Sequence, residues 1–356
     1  MAALDGRDAS GRRRMAGWLL IPAAYQLLVL AGWLRWRLHR PPPCPAIWPP
    51  VSIFKPTPAG EEPPEEALTS HWSQDYPEFE LLYDDLPGDE TPNPKVGKLM
   101  RLAGRARHHV WIFNDADIRV PPGYLRQVVS ALAQPGVGLV TTLYRARGDT
   151  LASRFEALGV AVDFMPSVQV ARLLGVREFG LGATLAFRRA DLERAGGLSA
   201  IAPYLADDYQ LSARLARLGL RVELAPVWVE TRLQGGWRDV WRHQIRWART
   251  IRASKRWGYA GLPVTHAGVW ALAAIVAGAG DWALLLLAVR WAAAATASRW
   301  FVLAPLWDLF AFVVWAAGFV GSAVQWGGRL LTLDSEGRIR RADPVPHPRK
   351  ESHSQS

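Results

Sequence analysis

Apolar and polar residues are unevenly distributed along the chain, and the first apolar run lies close to the N-terminus. It covers residues 16–34 and follows Arg12, Arg13 and Arg14. This length is close to the roughly 20 residues that cross the hydrocarbon core of a bilayer. Because no small-residue cleavage site follows, the pattern predicts an uncleaved membrane anchor over residues 1–40 rather than a signal peptide. A buried helix of a soluble domain is the alternative.

The next segment, residues 41–50, is rich in proline and interrupts the helical pattern. Proline lacks a backbone N–H and fixes φ, so this segment is predicted to be a stiff, extended linker. A folded domain is therefore expected to begin at residue 51.

Residues 51–236 alternate short apolar runs with segments of helical periodicity. This alternation is typical of an α/β domain in which helices cover a mostly parallel sheet. Strands are predicted over residues 51–54, 79–83, 110–113, 138–143, 183–187 and 222–224. Helices are predicted over residues 65–73, 95–107, 124–133, 151–174 and 209–218.

A basic amphipathic helix is predicted next, over residues 237–257 of a segment that extends to residue 260. Trp237, Trp241 and Ile245 recur at helical spacing, and arginines occupy many of the positions between them. Such a helix commonly lies in a membrane interface, with its cations toward anionic headgroups. The alternative is a helix that docks on the surface of a soluble domain.

Residues 261–328 are apolar and can hold two long membrane spans or three short ones, with tryptophans such as Trp326 as interfacial anchors. The formal charges within this region are Asp281, Arg290, Arg299 and Asp308. Basic residues flank it on both sides, which favours an even number of crossings and hence two. Residues 329–356 are predicted to be a polar tail that is disordered after Pro344.

The average composition hides this segregation. The 356 residues suggest two or three structural units, and the mean hydropathy of +0.00 averages a polar domain with apolar spans. The net charge is +10, but the arginines lie beside apolar runs rather than in a separate basic domain, which argues against nucleic-acid binding. The single cysteine, Cys44, excludes an internal disulfide and a cysteine metal site, and it suggests a reducing compartment.

The first candidate for chemistry is Asn114-Asp115-Ala116-Asp117, which directly follows the predicted strand 110–113. In open α/β sheets, ligands bind beyond the carboxyl ends of the strands. Two carboxylates spaced by one residue can hold a hard divalent cation there, bridging phosphate oxygens. Asp115 and Asp117 are therefore candidate metal ligands, and a solvated acidic loop is the alternative.

Two further motifs follow along the chain. Asp207 and Asp208 stand at the start of a predicted helix, where an aspartate can cap the helix or act as a general base toward an acceptor hydroxyl. Arg246 and Trp247 lie in the basic helix, where arginine offers donors for phosphate and tryptophan offers a face for a sugar ring or a lipid. For this second motif, an ordinary interfacial mixture of Arg and Trp is the alternative.

The order and spacing of these motifs and of several neighbouring segments resemble a known family. The segments are Val51-Ser52-Ile53-Phe54-Lys55-Pro56, Gln74-Asp75-Tyr76-Pro77, Asn93-Pro94-Lys95-Val96, 114–121, Gly182-Ala183-Thr184, 204–209, 243–252 and 303–326. Together they resemble membrane-bound inverting glycosyltransferases of the GT-A fold, specifically the ceramide glucosyltransferase family and its bacterial hopanoid-associated relatives.

This resemblance implies a Rossmann-like, mostly parallel catalytic domain with N-terminal and C-terminal transmembrane helices. It also implies that Asp115 and Asp117 hold Mn²⁺ or Mg²⁺, and that Asp115 and Lys95 face the diphosphate of a UDP-sugar donor. By the same resemblance, Asp208 is the catalytic base. Arg246 and Trp247 are similar to the family's Arg-Trp pair, which implies that they stabilise the diphosphate and close over the sugar.

The sequence departs from the family pattern at two places. Family members carry an early aspartate near the uracil site, followed by a helix and a strand before the Asn-Pro-Lys segment. Here a short loop alone separates Asp84 and Asp85 from that segment, and either is a candidate for the early acidic role. In addition, His243 stands where Gln or Arg is common and Gln244 comes one place late, so a hydrogen bond is lost there or comes from a different side chain.

The leading hypothesis is an integral membrane enzyme that transfers a hexose, with inversion, from a nucleotide sugar to a hydroxyl of a membrane lipid such as ceramide or a hopanoid. Its catalytic domain is expected at the cytoplasmic face of the cell inner membrane. One alternative is a processive polysaccharide synthase, which shares the core motifs. Another is a noncatalytic membrane scaffold, suggested by the short loop after Asp85. The sequence leaves the sugar and the lipid open.

Overall fold

The computed structural model describes residues 2–88 and 91–344, with side chains over residues 17–88 and 91–340. The end of the tail, residues 345–356, for which disorder is predicted, and the side chains of Arg12, Arg13 and Arg14 lie outside the described residues. Within the described part, an α/β domain is joined to a bundle of apolar helices and to a small C-terminal sheet.

The α/β domain is built on a six-stranded sheet. Its strands are β1 (Val51–Pro56), β2 (Phe79–Asp84), β3 (Val110–Phe113), β4 (Val137–Gly148), β5 (Leu185–Arg188) and β6 (Arg221–Leu233). Their order is β2-β1-β3-β5-β4-β6, and β5 alone runs antiparallel to its neighbours. The predicted α/β class with a mostly parallel sheet is therefore confirmed.

Helices precede and cover this sheet. They are α1 (Ala2–Arg37), α2 (Glu65–Trp72), α3 (Pro94–Ala103), α4 (Tyr124–Leu132), α5 (Leu151–Gly159), α6 (Met165–Leu173), α7 (Arg189–Arg194) and α8 (Asp207–Arg217). A π-helix, Val160–Phe164, separates α5 from α6, so the single helix predicted over residues 151–174 contains a wider turn. Such turns are frequent at functional sites.

Both faces of the sheet are apolar because helices cover both. In β3, Val110 and Ile112 pack in the core beneath α4, whereas Trp111 and Phe113 pack on the opposite face with α3 and α8. A strand that is buried on both faces forms a continuous apolar run. For this reason the pattern predicts residues 110–113 with the observed bounds.

Strands β4 and β6 extend well beyond the predicted ranges 138–143 and 222–224. They continue to pair in parallel from Leu143 and Trp228 to Gly148 and Leu233. The extension carries the charged residues Arg145, Arg147, Glu230 and Arg232. Beyond Tyr144 and Val229, the two strands therefore lack the apolar run that indicates a strand in the sequence. In the part of β6 before Glu230, Ala225, Val227 and Val229 are buried, but Pro226 argues against a strand in the sequence.

The second half of the chain contains α9 (Trp237–Ser254), α10 (Arg256–Ala260), α11 (Ala267–Val276), α12 (Gly280–Ala295) and α13 (Ala304–Gly318). The basic helix predicted over residues 237–257 is thus divided at Lys255. Among the described residues, two segments are long and apolar enough to cross a membrane, Gly17–Arg37 and Phe301–Gly318. Because α11 and α12 have 10 and 16 residues, region 261–328 contributes one such segment rather than the two or three predicted.

A buried ion pair joins the helical bundle to the α/β domain. Arg290 of α12 donates to both carboxylate oxygens of Asp308 of α13 over 3.0 and 2.6 Å. It also donates to the carbonyl of Val162, in the π-helix, over 2.8 Å. Asp308 in turn accepts from the Gly268 N–H at the start of α11 over 2.8 Å. Three bundle helices and the π-helix therefore share one hydrogen-bonded centre.

The C-terminal segment forms a three-stranded antiparallel sheet of β7 (Ala323–Trp326), β8 (Arg329–Leu333) and β9 (Ile339–Pro344). The structure differs here from two predicted boundaries, because β7 lies inside the predicted membrane region 261–328 and the other strands lie inside the predicted polar tail 329–356. Trp326 packs in this sheet instead of ending a span. The residues that are buried against Leu205 are Val324, Leu331, Leu333 and Ile339. Intervening charges hide this short apolar pattern in the sequence.

We expect Arg290→Met to lower the free energy of unfolding by about 3–5 kcal/mol, because it leaves the buried Asp308 carboxylate without its cation. The measurement is thermal unfolding of the intact protein in detergent. The double variant Arg290→Met/Asp308→Leu should recover most of the loss, since it removes both charges. A single variant as stable as the wild type would show that the pair does not hold the bundle.

Candidate active site

The acidic loop after β3 lies at the carboxyl end of the parallel strands, and a buried lysine fixes its backbone. Lys55 of β1 donates from Nζ to the carbonyl oxygens of Asp115 and Ile118 over 3.1 and 3.0 Å. Burial lowers the pKa of Lys55 to about 7, although the carboxylates of Asp117 and Asp115 oppose the shift. The sequence does not indicate this role, because Lys55 is one charged residue at the end of an apolar run.

Asn114, the first residue of the acidic motif, joins this loop to the segment after Gly182. Its Nδ2 donates to the Ala183 carbonyl over 2.7 Å and lies 3.1 Å from the Thr184 hydroxyl. The side chain is 1% exposed. Because buried amide groups are costly unless they are hydrogen-bonded, these bonds fix how the two segments approach each other.

Lys95 lies between two of the aspartates. Its Nζ is 2.8 Å from Asp115 Oδ1 and 3.3 Å from Asp207 Oδ2. Burial alone would lower the pKa of Lys95, but the two carboxylates outweigh it and the pKa is raised. Asn93 caps α3 by accepting from the Lys95 N–H over 3.0 Å. The start of this helix therefore places the ammonium group among the carboxylates.

Asp208 lies in the first turn of α8, beside Gly182. Its Oδ2 accepts from the Gly182 N–H over 3.1 Å, and its Oδ1 accepts from the Tyr209 N–H over 2.7 Å. Burial and the charge of Asp207 raise the pKa of Asp208 to about 6, while Lys95 opposes the shift. A carboxylate with a raised pKa is suited to accept a proton near neutral pH.

Gly182 is the position at which these groups converge. A Cβ atom there would lie 3.2 Å from Asp115 Oδ2, 3.5 Å from Asp208 Oδ2 and 3.6 Å from Lys95 Nζ. The missing side chain therefore leaves a cradle that two carboxylates and an ammonium group border. A polar ligand can approach the backbone closely at such a place.

Asp117 is held by two residues of strand β6. Its Oδ2 accepts from the Thr231 hydroxyl and, over 3.2 Å, from the Arg232 N–H. Burial raises the pKa of Asp117, and the Thr231 bond opposes this shift. Its carboxylate therefore has a fixed orientation before any ligand binds.

The two motif carboxylates fit a hard divalent cation that completes its coordination from a ligand. Mg²⁺ is commonly held by one or two carboxylates together with substrate phosphates. Within the described residues, no cluster of three His, Cys, Asp or Glu side chains could hold a metal ion. Asp115 and Asp117 would therefore need oxygen atoms from a diphosphate or water to hold one.

Arg246 and Trp247 lie on α9. Burial lowers the pKa of Arg246, whereas the charges of Asp115, Glu156 and Asp208 oppose the shift. The guanidinium is therefore within electrostatic range of the acidic cluster. Trp247 packs on Phe164 of the π-helix, with 4.9 Å between the ring centroids.

The departure at His243 has a structural explanation in Glu156 of α5. His243 Nδ1 and Gln244 Nε2 lie 2.6 and 2.8 Å from the same oxygen, Glu156 Oε1. A hydrogen bond is thus supplied from both positions. Glu156 was not predicted as a site residue, although an acidic residue on a helix face with Ala152, Ser153 and Gly159 was a signal for it.

Asp84 is the last residue of β2, and Asp85 follows it. Asp84 accepts from Arg101 Nε over 2.7 Å and from the Leu86 N–H over 2.9 Å. Burial would raise the pKa of Asp84, but these bonds outweigh it and lower the pKa. Asp84 therefore holds α3 against β2, whereas Asp85 is exposed. Within the described part of the chain, neither carboxylate is brought into the cluster around Gly182.

Tyr144 of β4 is a further residue that the sequence did not indicate. Burial raises the pKa of its phenol well above the ordinary value, and the next contributions come from Asp115 and Asp208. Its hydroxyl therefore lies near the acidic cluster. Tyr144 lies at the end of the apolar part of β4, so the sequence pattern indicates a core residue there.

Comparison with known proteins gives a family, and a ceramide glucosyltransferase is among the curated relatives. The chain matches glycosyl transferase family 21 over residues 16–84 and 86–339. It is 23% identical over 252 residues to ceramide glucosyltransferase 1 of Caenorhabditis elegans. The match covers 62% of this chain and 54% of that protein. The chain therefore spans about half the length of this relative.

Two glycosyltransferases are among the solved structures that are similar. Mannosyltransferase PcManGT from Pyrobaculum calidifontis, in complex with GDP-Man and Mn²⁺, is 20% identical with a TM-score of 0.47, and the match covers 87% of this chain and 99% of that one. Glucosyl-3-phosphoglycerate synthase from Mycobacterium tuberculosis, in complex with Mn²⁺, UDP and phosphoglyceric acid, is 15% identical with a TM-score of 0.35. That match covers 60% of this chain and 84% of the other. Similarity at this level says nothing about the donor or the acceptor of this chain.

The family match includes the acidic loop after β3, the start of α8 and the Arg246–Trp247 pair. The resemblance inferred from the order of the motifs is thereby confirmed. This chain belongs to glycosyl transferase family 21.

Proposed function

We propose that the enzyme transfers a hexose from a UDP-sugar to a hydroxyl of a membrane lipid such as ceramide or a hopanoid, with inversion at the anomeric carbon. The convergence of Asp115, Lys95 and Asp208 around Gly182 carries the proposal. A metal-binding carboxylate and a candidate base there border one cradle. The curated relative named as a ceramide glucosyltransferase supports a lipid acceptor.

The proposed reaction is a single displacement. The acceptor oxygen bonds to the anomeric carbon while the bond from that carbon to the β-phosphate oxygen breaks, and the electron pair leaves with UDP. The acceptor proton passes to the carboxylate of Asp208. Arg246 and Lys95 stabilise the negative charge that develops on the diphosphate, and Trp247 covers the sugar.

Mn²⁺ or Mg²⁺ is the cofactor that the donor set favours. Asp115 and Asp117 would hold the ion through carboxylate oxygens, and it would supply positive charge to the leaving diphosphate. Lys55 orients the Asp115 carboxylate through its bond to the backbone of the loop. Thr231 orients the Asp117 carboxylate by donating to Oδ2. We assign the early acidic role toward the nucleoside to Asp85, because the carboxylate of Asp84 is bonded to Arg101.

A membrane acceptor requires a membrane-bound site, and the helical part of the chain supports one. The segments Gly17–Arg37 and Phe301–Gly318 have the length and apolarity of spans. Trp241 of α9 lies 6.3 Å from Phe310 of α13 between ring centroids, so the aromatic face of the basic helix continues the surface of a candidate span. Exposed aromatic and basic residues together favour an interfacial position. We place the catalytic domain at the cytoplasmic face of the cell inner membrane, where a nucleotide sugar is available.

The direct test uses the full chain in lipid nanodiscs with Mn²⁺ or Mg²⁺. UDP-glucose, UDP-galactose and UDP-N-acetylglucosamine are each supplied with ceramide, hopanoid or diacylglycerol, and products are analysed by mass spectrometry. NMR of the product then gives the anomeric configuration. A polymer would indicate a processive synthase instead, and the absence of both turnover and UDP binding would indicate a scaffold.

We expect Asp208→Asn to lower kcat by about 10²–10⁴-fold, the range for loss of a general base, while UDP affinity changes little. Turnover and UDP titration by calorimetry measure the two effects. The matched variant is Asp207→Asn, which removes an ion pair with Lys95 but not the proposed base. If Asp207→Asn abolishes turnover and Asp208→Asn does not, the assignment of the base is wrong.

The pH dependence of kcat should show an acidic limb near pH 6. Burial raises the pKa of Asp208 to about 6, so its basic, ionised form dominates above this pH and is lost as the pH falls through it. Below the limb, kcat should fall about tenfold per pH unit. A rate that stays constant from pH 7.5 to pH 5 at saturating metal and donor would contradict this role.

We expect Gly182→Ala to weaken UDP·Mn²⁺ binding by about tenfold or more, since a methyl group would enter the cradle 3.2 Å from Asp115 Oδ2 and overpacking typically costs about 1–3 kcal/mol. Calorimetric titration provides the measurement. Gly104→Ala is the control, because its Cβ would meet no atom closer than 3.4 Å. Equal affinities for the two variants would show that the donor does not enter this cradle.

A further inference from the structure

Glu156 is a buried carboxylate that two adjacent side chains of another helix hold. Its side chain is 3% exposed. One oxygen, Oε1, lies 2.6 Å from His243 Nδ1 and 2.8 Å from Gln244 Nε2. A buried carboxylate is costly unless strong hydrogen bonds compensate it, so the position of α9 that supplies both bonds is favoured over a shifted one.

The tethered residues lie on the face of α9 that carries the active-site pair. Residues three and four apart are neighbours on a helix surface, and Arg246 and Trp247 follow His243 by three and four positions. The Trp247 and His243 rings are in edge contact, with 4.6 Å between centroids. A bond that fixes His243 therefore also fixes the rotation of α9 at Arg246 and Trp247.

The position of the Arg246 guanidinium depends on contacts that other residues of α9 make. Within the described residues, its guanidinium has no ion pair or hydrogen bond of its own, although it lies among the charges of Asp115, Glu156 and Asp208. A long side chain without a fixed partner is aimed chiefly by the backbone that carries it. The orientation of α9 consequently determines whether Arg246 reaches a diphosphate at the acidic loop.

We propose that Glu156 is a positioning residue, which anchors α9 through His243 and Gln244 so that Arg246 reaches the leaving diphosphate. This role rests on the proposed function. It also gives the altered positions of the motif a role, because His243 and Gln244 both bond to Glu156.

The test compares Glu156→Ala, Glu156→Gln, Arg246→Ala and the double variant Glu156→Ala/Arg246→Ala in the full chain. We expect Glu156→Ala to lower kcat by about 10²-fold, the size of effect that a misplacement of about 1 Å produces, and to weaken UDP·Mn²⁺ binding. Glu156→Gln should retain most activity, because its amide oxygen still accepts from both donors. The double variant should be no slower than Arg246→Ala, since the two residues act through one contact.

Glu80→Ala is the matched control. Glu80 is also a buried carboxylate, with three donors: Ser52 Oγ at 2.6 Å, the Arg107 N–H at 2.7 Å and Arg107 Nε at 2.8 Å. It lies near the start of β2, at the opposite end of the strand from the site. It should lower thermal stability without changing the ratio of kcat to the fraction of folded enzyme. The KM for the lipid acceptor should stay unchanged in Glu156→Ala.

Several results would overturn the role. Additive losses in the double variant, an equal loss of kcat per folded enzyme in Glu80→Ala, or a fully active Glu156→Ala would each show that Glu156 does not act through Arg246, with the proposed function intact if the wild type forms glycolipid. A wild type that neither binds UDP nor transfers sugar would instead overturn the proposed function, and the role with it.

Discussion

The active site depends on how closely Asp115, Asp207 and Asp208 are crowded at one edge of the sheet. Like charges that are partly removed from water repel each other and favour protonation. Lys95 offsets this repulsion, since its ammonium bridges Asp115 and Asp207 at 2.8 and 3.3 Å. A bound diphosphate would add negative charge to this balance. Arg246, whose guanidinium is not paired within the described residues, and the divalent ion of the proposed function could compensate it.

The position of the candidate base depends on elements far apart in sequence. The segment before Asp207 is held from one side by Asn93, whose N–H and Nδ2 donate to the carbonyls of Ala202 and Tyr204 over 3.0 and 2.7 Å. From the other side, the Ile339 N–H of β9 donates to the Pro203 carbonyl over 2.8 Å. The C-terminal sheet is therefore part of the framework of the site. Arg249 and Arg252 extend this framework by bonding from α9 to the carbonyls of Val320 and Gly321 over 2.6 and 2.8 Å.

The features of the fold that could be predicted from the sequence are those that a local pattern of residues determines. The run 110–113 is apolar on both faces and so has the bounds of β3. The structure has Asp115 and Asp117 at its carboxyl end, and their role as metal ligands stays a prediction. Long-range polar contacts were not predictable, because no local pattern records that Glu156 meets α9. The C-terminal strands were missed because charges interrupt their apolar positions, and the ends of β4 and β6 because pairing with each other stabilises them rather than burial.

The π-helix Val160–Phe164 connects the bundle to the active site within a few residues. The Val162 carbonyl accepts from Arg290, and Asp163 accepts from Trp307 Nε1 over 3.2 Å, so these residues face the helices. Phe164, the next residue, packs on Trp247. For an acceptor that stays in the bilayer, the distance between the membrane and the donor must be fixed for the two reactants to meet, and this segment contacts both the bundle and α9.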